Sequence, residues 1–449
     1  MPTFWCPAPL LATAAEAQTG PIVLAGVLLS LVVIYLSSKF VGELCARINL
    51  PPVLGELIGG VVVGTSALNL LVFPEGGEIH SLIINFLQST AGLSLELTPE
   101  VAGSISEVVS ILSEMGVIIL LFEIGLESDL GELIRVGPQA AAVAVVGVAV
   151  PFVVGTAGLV MLFGVPTVPA IFAGAALTAT SIGITAKVLA EIQRLSSREG
   201  QIIIGAAVLD DVLGIIVLAV VSSLAKTGEI QIANVIYLIV SATVFLIGAI
   251  LVGRFLSPYF VTLVDRLRTR GQLILPSLIF AFVLAYIGAA IQLEAILGAF
   301  AAGLVLAETE KRKELEEQII PIADIFVPIF FVVVGAKTDV SVLNPFNPAN
   351  REGLIIAAFL VVVAIIGKIV TGLAVFGQPG INRLAIGIGM IPRGEVGLVF
   401  AGVGSATGVL SESLNAAIIV MVILTTFLAP PLLRVVFREE APAESLESL

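Results

Sequence analysis

Histidine and cysteine are nearly missing from this 449-residue chain, which carries one histidine, His80, and two cysteines, Cys6 and Cys45. Their scarcity excludes a disulfide framework, a haem attachment or a Cys/His metal site, and no cofactor is expected. Charge is also scarce: 12% of the residues are Asp, Glu, Lys or Arg, where a soluble domain carries about 25%. Basic residues are the rarer sign, 21 against 34 acids for a formal charge of −13. A nucleic-acid partner, which wants a basic face, is thereby excluded. What is abundant is apolar: 58% of the chain is hydrophobic and the mean hydropathy is +1.13. The chain reads as an all-α polytopic membrane protein with the lipid bilayer around it. Its 44 glycines and 23 prolines fit packed, interrupted transmembrane helices rather than disorder, which needs polarity.

A helix needs about 20 apolar residues to cross the hydrocarbon core. That ruler finds thirteen crossings, near 21–38, 53–73, 109–128, 138–163, 167–190, 200–224, 232–254, 272–290, 293–308, 317–335, 354–376, 383–407 and 412–436. The apolar runs are continuous rather than alternating, which favours helices over a barrel. Residues 1–20 form an N-terminal extension without Lys or Arg. It makes a poor signal peptide, although Ala15-Glu16-Ala17 has the form of a cleavage site. Residues 437–449 form a short acidic tail, expected to be disordered. The segment 74–107 reads as an outer loop with an interfacial helix at its apolar stretch 82–87.

With the N-terminus outside, thirteen crossings leave the C-terminus inside. Lys and Arg then divide as sixteen in the inner loops and helix ends against three outside, namely Lys226, Lys337 and Arg351. Only Lys368 and Arg393 remain within the membrane. So steep an asymmetry obeys the positive-inside rule and supports the count, because one missed crossing would scramble everything downstream.

An ionisable side chain at mid-bilayer costs roughly 2.5–3.5 kcal/mol on the insertion scale, so charges deep inside crossings point to function. Asp210 and Asp211 lie near the middle of the sixth crossing, Lys368 in the eleventh, and Arg393 with Glu395 in the twelfth. Three acids face two bases. If the bases pair off, one carboxylate is left to a proton or a small cation, and hardly to both at once. A site that holds either is the minimum requirement for cation/proton antiport by competition. The rival reading is a structural ion-pair cluster locking helices together, which suits Arg393–Glu395 better than the adjacent acids. Successive helix positions diverge by about 100°, so one aspartate can pair with Lys368 while the other faces a cavity.

Two crossings look broken. Leu177-Thr178-Ala179-Thr180-Ser181-Ile182-Gly183-Ile184-Thr185 puts hydroxyls and a glycine at mid-depth in the fifth, and Gly387-Ile388-Gly389-Met390-Ile391-Pro392-Arg393-Gly394-Glu395 puts Gly and Pro there in the twelfth. Proline removes a helix hydrogen bond, hydroxyls compete for backbone groups, and irregular backbone at this depth is tolerated only beside protein or a cavity. Close helix packing on small residues is the alternative use of such a pattern. The two breaks lie seven crossings apart, so they run in opposite directions, as inverted repeats require. Interrupted segments in corresponding places of two halves mark the binding site of secondary transporters.

Five elements then stand in order: Thr-Ala-Thr-Ser-Ile-Gly-Ile-Thr at 178–185, Leu-Asp-Asp-Val-Leu-Gly at 209–214, Gly-Ala-Phe-Ala-Ala-Gly at 298–303, Gly-Lys at 367–368 and Pro-Arg-Gly-Glu-Val-Gly at 392–397. Together they resemble the monovalent cation/proton antiporter superfamily, in its bacterial sodium/proton exchanger branch with two aspartates, over nearly all of 21–436. The resemblance implies a thirteen-helix antiporter whose core moves like an elevator against a dimerisation scaffold. On that basis the core is expected at about 109–224 and 354–436, the scaffold at about 21–73 and 272–335, and a linking helix at about 232–254. It implies that Asp211 binds Na+ or a proton alternately, that Asp210 pairs with Lys368, and that Thr180 and Ser181 supply oxygen to the ion or to the crossing. Glu395, Arg393, Thr178 and Pro392 are implied to support the broken helices. It further implies electrogenic exchange and a homodimer, with Na+ and H+ as substrates. The default location is a bacterial cytoplasmic membrane, or a thylakoid membrane if the source is photosynthetic.

Na+ against K+ stays open, because selectivity between hard cations rests on cavity size and rigidity. Enzyme readings fare worse. A serine-type intramembrane protease normally needs a histidine base in the membrane, and His80 falls in the outer loop. An aspartyl type needs acids approaching from different helices to share a proton, whereas Asp210 and Asp211 are neighbours. A passive cation channel remains the harder rival.

Overall fold

Each apolar run folds as helix in the computed structural model of the chain, which describes residues 8–71, 73, 81–227, 231–338, 340–344, 350–377 and 379–438. Among them there is no strand. The order is α1 (Ala8–Arg47), α2 (Pro52–Val63), α3 (Leu82–Thr90), α4 (Thr98–Glu127), α5 (Leu130–Arg135), α6 (Gly137–Phe163), α7 (Thr167–Ala176), α8 (Ile182–Glu191) and α9 (Arg198–Thr227). There follow α10 (Ile232–Arg266), α11 (Ile274–Ala290), α12 (Ala295–Ala307), α13 (Arg312–Ala336), α14 (Asn350–Ile369), α15 (Arg383–Gly389), α16 (Glu395–Ala406) and α17 (Glu412–Arg438).

Eight of the described helices are long and apolar enough to cross a membrane unaided: α1, α4, α6, α9, α10, α13, α14 and α17. The expected crossings at 53–73, 272–290 and 293–308 are the shorter apolar helices α2, α11 and α12, and those at 167–190 and 383–407 each divide into two pieces. Several helices overrun the expected bounds. Helix α4 starts at Thr98 rather than near 109, with Pro99 in its first turn, where a missing N–H is no loss. Helix α10 continues to Arg266 rather than 254, and α1 is already helical from Ala8. An apolar ruler measures the bilayer, and polar turns such as Glu100 to Glu107 extend a helix beyond it. The interfacial helix expected at 82–87 is α3, whereas His80, residues 1–7 and the acid-rich stretch 439–449 lie outside the described residues.

The helices sort into two packing groups. One holds α6, α7, α8 and α9 with α14, α15, α16 and α17; the other holds α1, α2 and α4 with α11, α12 and α13, and α10 touches α9 of the first and α12 of the second. The third expected crossing, α4, packs chiefly on α12 and α13 and touches α8 of the first group less extensively. Small residues cause it. A Cβ on Gly125 would sit 2.4 Å from the Phe300 carbonyl oxygen, one on Gly303 would sit 2.3 Å from that of Phe122, and one on Gly116 would sit 2.4 Å from that of Phe326. Glycine thus lets α4 approach both neighbours to backbone contact, the packing that membrane helices use where hydrophobicity gives no preference. Each group takes three of the expected crossings from each half of the chain, the pattern that an inverted repeat gives.

Candidate functional site

The two breaks arise where the sequence offers the backbone other partners. Helix α7 ends at Ala176, the Thr178 hydroxyl turns back to the Ala175 carbonyl oxygen at 2.8 Å, and helix resumes at Ile182. Helix α15 ends at Gly389, and helix resumes at Glu395 after Pro392 and an extended Gly394 (φ −136°, ψ −148°). The breaks cross in contact. Ser181 donates its N–H to the Pro392 carbonyl oxygen at 2.8 Å, and the Thr180 and Thr185 hydroxyls donate to the carbonyl oxygens of Met390 at 3.1 Å and Gly389 at 2.8 Å. Glycine is required at 394, since a Cβ there would stand 2.7 Å from the Ser181 hydroxyl oxygen.

Four helix ends therefore meet inside the protein, two carrying partial negative charge (α7, α15) and two positive (α8, α16). The buried side chains answer this pattern. Lys368 donates to the Thr178 carbonyl oxygen at 2.7 Å, and the Arg393 Nη1 donates to the same oxygen at 3.3 Å and to that of Ala179. Both cations thus sit on carbonyls left over at the end of α7. Asp210 lies 3.3 Å from the Lys368 ammonium, with both side chains wholly buried. The Thr426 hydroxyl on α17 donates to the Arg393 carbonyl oxygen and ties that strand of the break to its neighbour.

Asp211, one position on, faces elsewhere. It is 3% exposed and lines a cavity of about 10 Å³ with Thr180, Ser181, Ile182, Ile296, Gly394 and Val396. That is room for about one water-sized body, set against the N-terminal turns of α8 and α16. A larger cavity of about 850 Å³ opens between the two packing groups, bounded by Leu57, Lys337, Thr338, Asn415 and Phe427, and it reaches the same Gly394. At the opposite end of the bundle the groups are joined: the Val53 N–H at the start of α2 donates to the Glu191 carboxylate at the end of α8, at 3.3 Å.

Of the residues singled out in the sequence, Thr178, Thr180, Ser181, Asp210, Asp211, Lys368, Pro392 and Arg393 come together here. Glu395 opens α16, but its side chain lies outside the described residues, and with it the expected Arg393–Glu395 pair. The sequence reading missed that the partners of Arg393 are backbone oxygens. The signal was present, because a helix that stops at mid-depth leaves carbonyls without intrahelical donors. It also missed Ile296, which no polarity marks. Chemically, the arrangement offers a carboxylate, two hydroxyls and backbone oxygens around a space that fits one small cation or proton-carrying group.

Residues 27–439 match the family model described as sodium/hydrogen exchanger, transmembrane. The chain is 70% identical to the high-affinity Na+/H+ antiporter NhaS3 of Synechocystis sp., over 98% of this chain and 97% of that one. It is 34% identical to the Na+/H+-K+ antiporter GerN of Bacillus cereus, over 90% of this chain and 94% of that one. Among solved structures it shares its fold with the sodium proton antiporter MjNhaP1 of Methanocaldococcus jannaschii, at a TM-score of 0.57 and 16% identity, covering 94% of this chain and 97% of that one.

Proposed function

Because the chain belongs to the sodium/hydrogen exchanger family, we propose that it exchanges Na+ for H+ across its membrane, with Asp211 holding one or the other in turn. The observation that carries this is the cavity of about 10 Å³ in which Asp211 meets Thr180 and Ser181. A carboxylate there is satisfied by a proton or by a dehydrated cation, and the space does not take both. Thr180 and Ser181 supply oxygen, and Gly394 keeps the crossing tight. Arg393 acts through the end of α7, holding its carbonyls, and is a positioning residue; Lys368 holds the same end while it is protonated. The pair Asp210–Lys368 adds a second proton-carrying group beside Asp211, so more protons than cations cross in a cycle and the exchange is electrogenic.

Access alternates by movement of the group that carries the breaks against the group built on α4, α12 and α13. Thirteen crossings with the N-terminus outside put Lys337 and Thr338 at the outer face, and the cavity of about 850 Å³ then leads from outside to Gly394. The contact of Glu191 with Val53 closes the inner side. The exposed apolar row Leu24, Leu28, Leu36, Phe40 and Leu44 along α1 supports burial in lipid or against a second copy in a homodimer. A second reading, exchange that also accepts K+, is favoured by the 34% likeness to a relative named for both ions.

The test uses sealed proteoliposomes with an interior pH dye and an acid-inside gradient, to which Na+, Li+ and K+ are added outside with and without a potential clamp. Interior alkalinisation with Na+, lost in Asp211→Ala, is the expected result. Folded protein that moves no protons with any cation between about pH 6 and 8, the range in which buried groups of this kind are tuned to work, would sink the reading.

A further inference from the structure

Six of the seven side chains or backbones around the ion-sized cavity belong to the group that carries the breaks; the exception is Ile296, in the first turn of α12. It is 6% exposed and is the cavity's one lining residue from α12. The wall is stiff for two separate reasons. A β-branched side chain in a helix keeps essentially one rotamer. The helix itself is wedged: a Cβ on Gly298 would sit 2.2 Å from the Leu284 carbonyl oxygen on α11, and one on Gly303 would sit 2.3 Å from that of Phe122 on α4. Helix α12 therefore has no room to retreat toward either neighbour when a larger ion presses on it.

We propose that Ile296 is the size-selecting wall of this site, an apolar side chain that sets which monovalent cation fits without ever ligating it. The inference rests on the exchange reading above. Oxygen ligands of the same kind suit Na+ and K+ alike, and discrimination comes from cavity size and flexibility. Here size and stiffness on one side are the property of a single residue, and it stands on the opposite packing group from every ligand. Trimming it lets the cavity admit the larger ion, or an ion that keeps part of its water, while Asp211, Thr180 and Ser181 stay where they are. The residue is also poised to leave the site once the groups slide, so that selection is applied in the state captured here.

The experiment compares wild type, Ile296→Val, Ile296→Ala and Ile296→Leu, full length in proteoliposomes, by the half-saturating concentrations of Na+, Li+ and K+. Removing one methylene from a pocket wall is worth about 10-fold in discrimination, so the K+/Na+ ratio of half-saturating concentrations falls by about that factor in Ile296→Val. It falls further in Ile296→Ala and changes little in Ile296→Leu. A ratio unchanged in Ile296→Ala with exchange retained overturns the proposal. Should the alanine variant lose exchange, Ile296→Val decides in the same way, an unchanged ratio overturning it. The thermal shift given by Na+ and by K+ is measured on the same proteins, since it reports binding without transport. If wild type moves no protons with any cation, the exchange reading fails, and the thermal-shift series still decides whether Ile296 discriminates between the ions.

Discussion

Replacing Lys368 by Met keeps the length of the side chain and removes its charge. The ammonium lies 3.3 Å from Asp210, a distance at which opposite charges attract by about 5 kcal/mol at an effective dielectric near 20. That attraction offsets the desolvation of both ions, and removing one partner of a buried pair is destabilising by about 3–5 kcal/mol. The lower end applies, because 3.3 Å exceeds the roughly 2.7–2.9 Å of a tight charge-assisted bond. The two single replacements are not equivalent. In Asp210→Asn the lysine keeps its 2.7 Å bond to the Thr178 carbonyl oxygen. In Lys368→Met the aspartate loses the donor of both its hydrogen bonds. Lys368→Met is therefore the more destabilising, and the double variant recovers most of the loss. A kcal/mol moves the melting midpoint by about 2–4 °C in a domain of 150–250 residues and by less in a longer chain, so a drop of roughly 5 °C is expected for Lys368→Met. The assay is thermal unfolding in nanodiscs for wild type, both singles and the double. Lys368→Met melting with wild type, or a double variant whose loss is the sum of the singles, would refute the assignment of Asp210 and Lys368 as a coupled buried pair.

Gly303→Val should fail to assemble the α4–α12 crossing, since even a Cβ meets the Phe122 carbonyl oxygen at 2.3 Å; overpacking of this kind costs about 1–3 kcal/mol, read as lower folded yield and melting temperature. Glu191→Ala removes the acceptor of the Val53 N–H across the two groups, a bond worth about 1 kcal/mol and so about a fivefold shift in population. With a cysteine at Asn415 in a background lacking both native cysteines (Cys6→Ser and Cys45→Ser), labelling by a membrane-impermeant thiol reagent should slow by that factor. Asp211→Ala should abolish cation-dependent proton movement while leaving the melting curve near wild type.

The breaks were legible in the sequence because each concentrates at mid-depth residues that offer the backbone another partner or remove its own, Thr and Ser at 178–185 and Pro and Gly at 387–395. The buried charges were legible because an ionisable side chain at mid-bilayer is costly. The close approach of α4 to α12 and α13 was not, because Gly116, Gly125 and Gly303 carry no label saying which helices they bring together. Helix ends at Thr98 and Arg266 were out of reach of a rule that measures lipid thickness. The expected Arg393–Glu395 pair lies outside the described residues, but the backbone contacts of Arg393 could not be read from its neighbours in sequence. Its observed partners, the Thr178 and Ala179 carbonyl oxygens, come from a segment more than two hundred residues earlier and are not side chains at all.

That last property has a consequence for anyone mapping the site genetically. The acceptors that hold the crossing together belong to Gly389, Met390 and Pro392, and those that hold Lys368 and Arg393 belong to Thr178 and Ala179. All are main-chain oxygens, which every amino acid brings. A saturation scan of 389–392 will register steric misfits and leave the bonds themselves silent. The side-chain donors, Thr180, Thr185, Lys368 and Arg393, will stand out, whereas the Ser181 N–H that serves Pro392 is as silent as the acceptors; the tolerance map will show at most half of each contact.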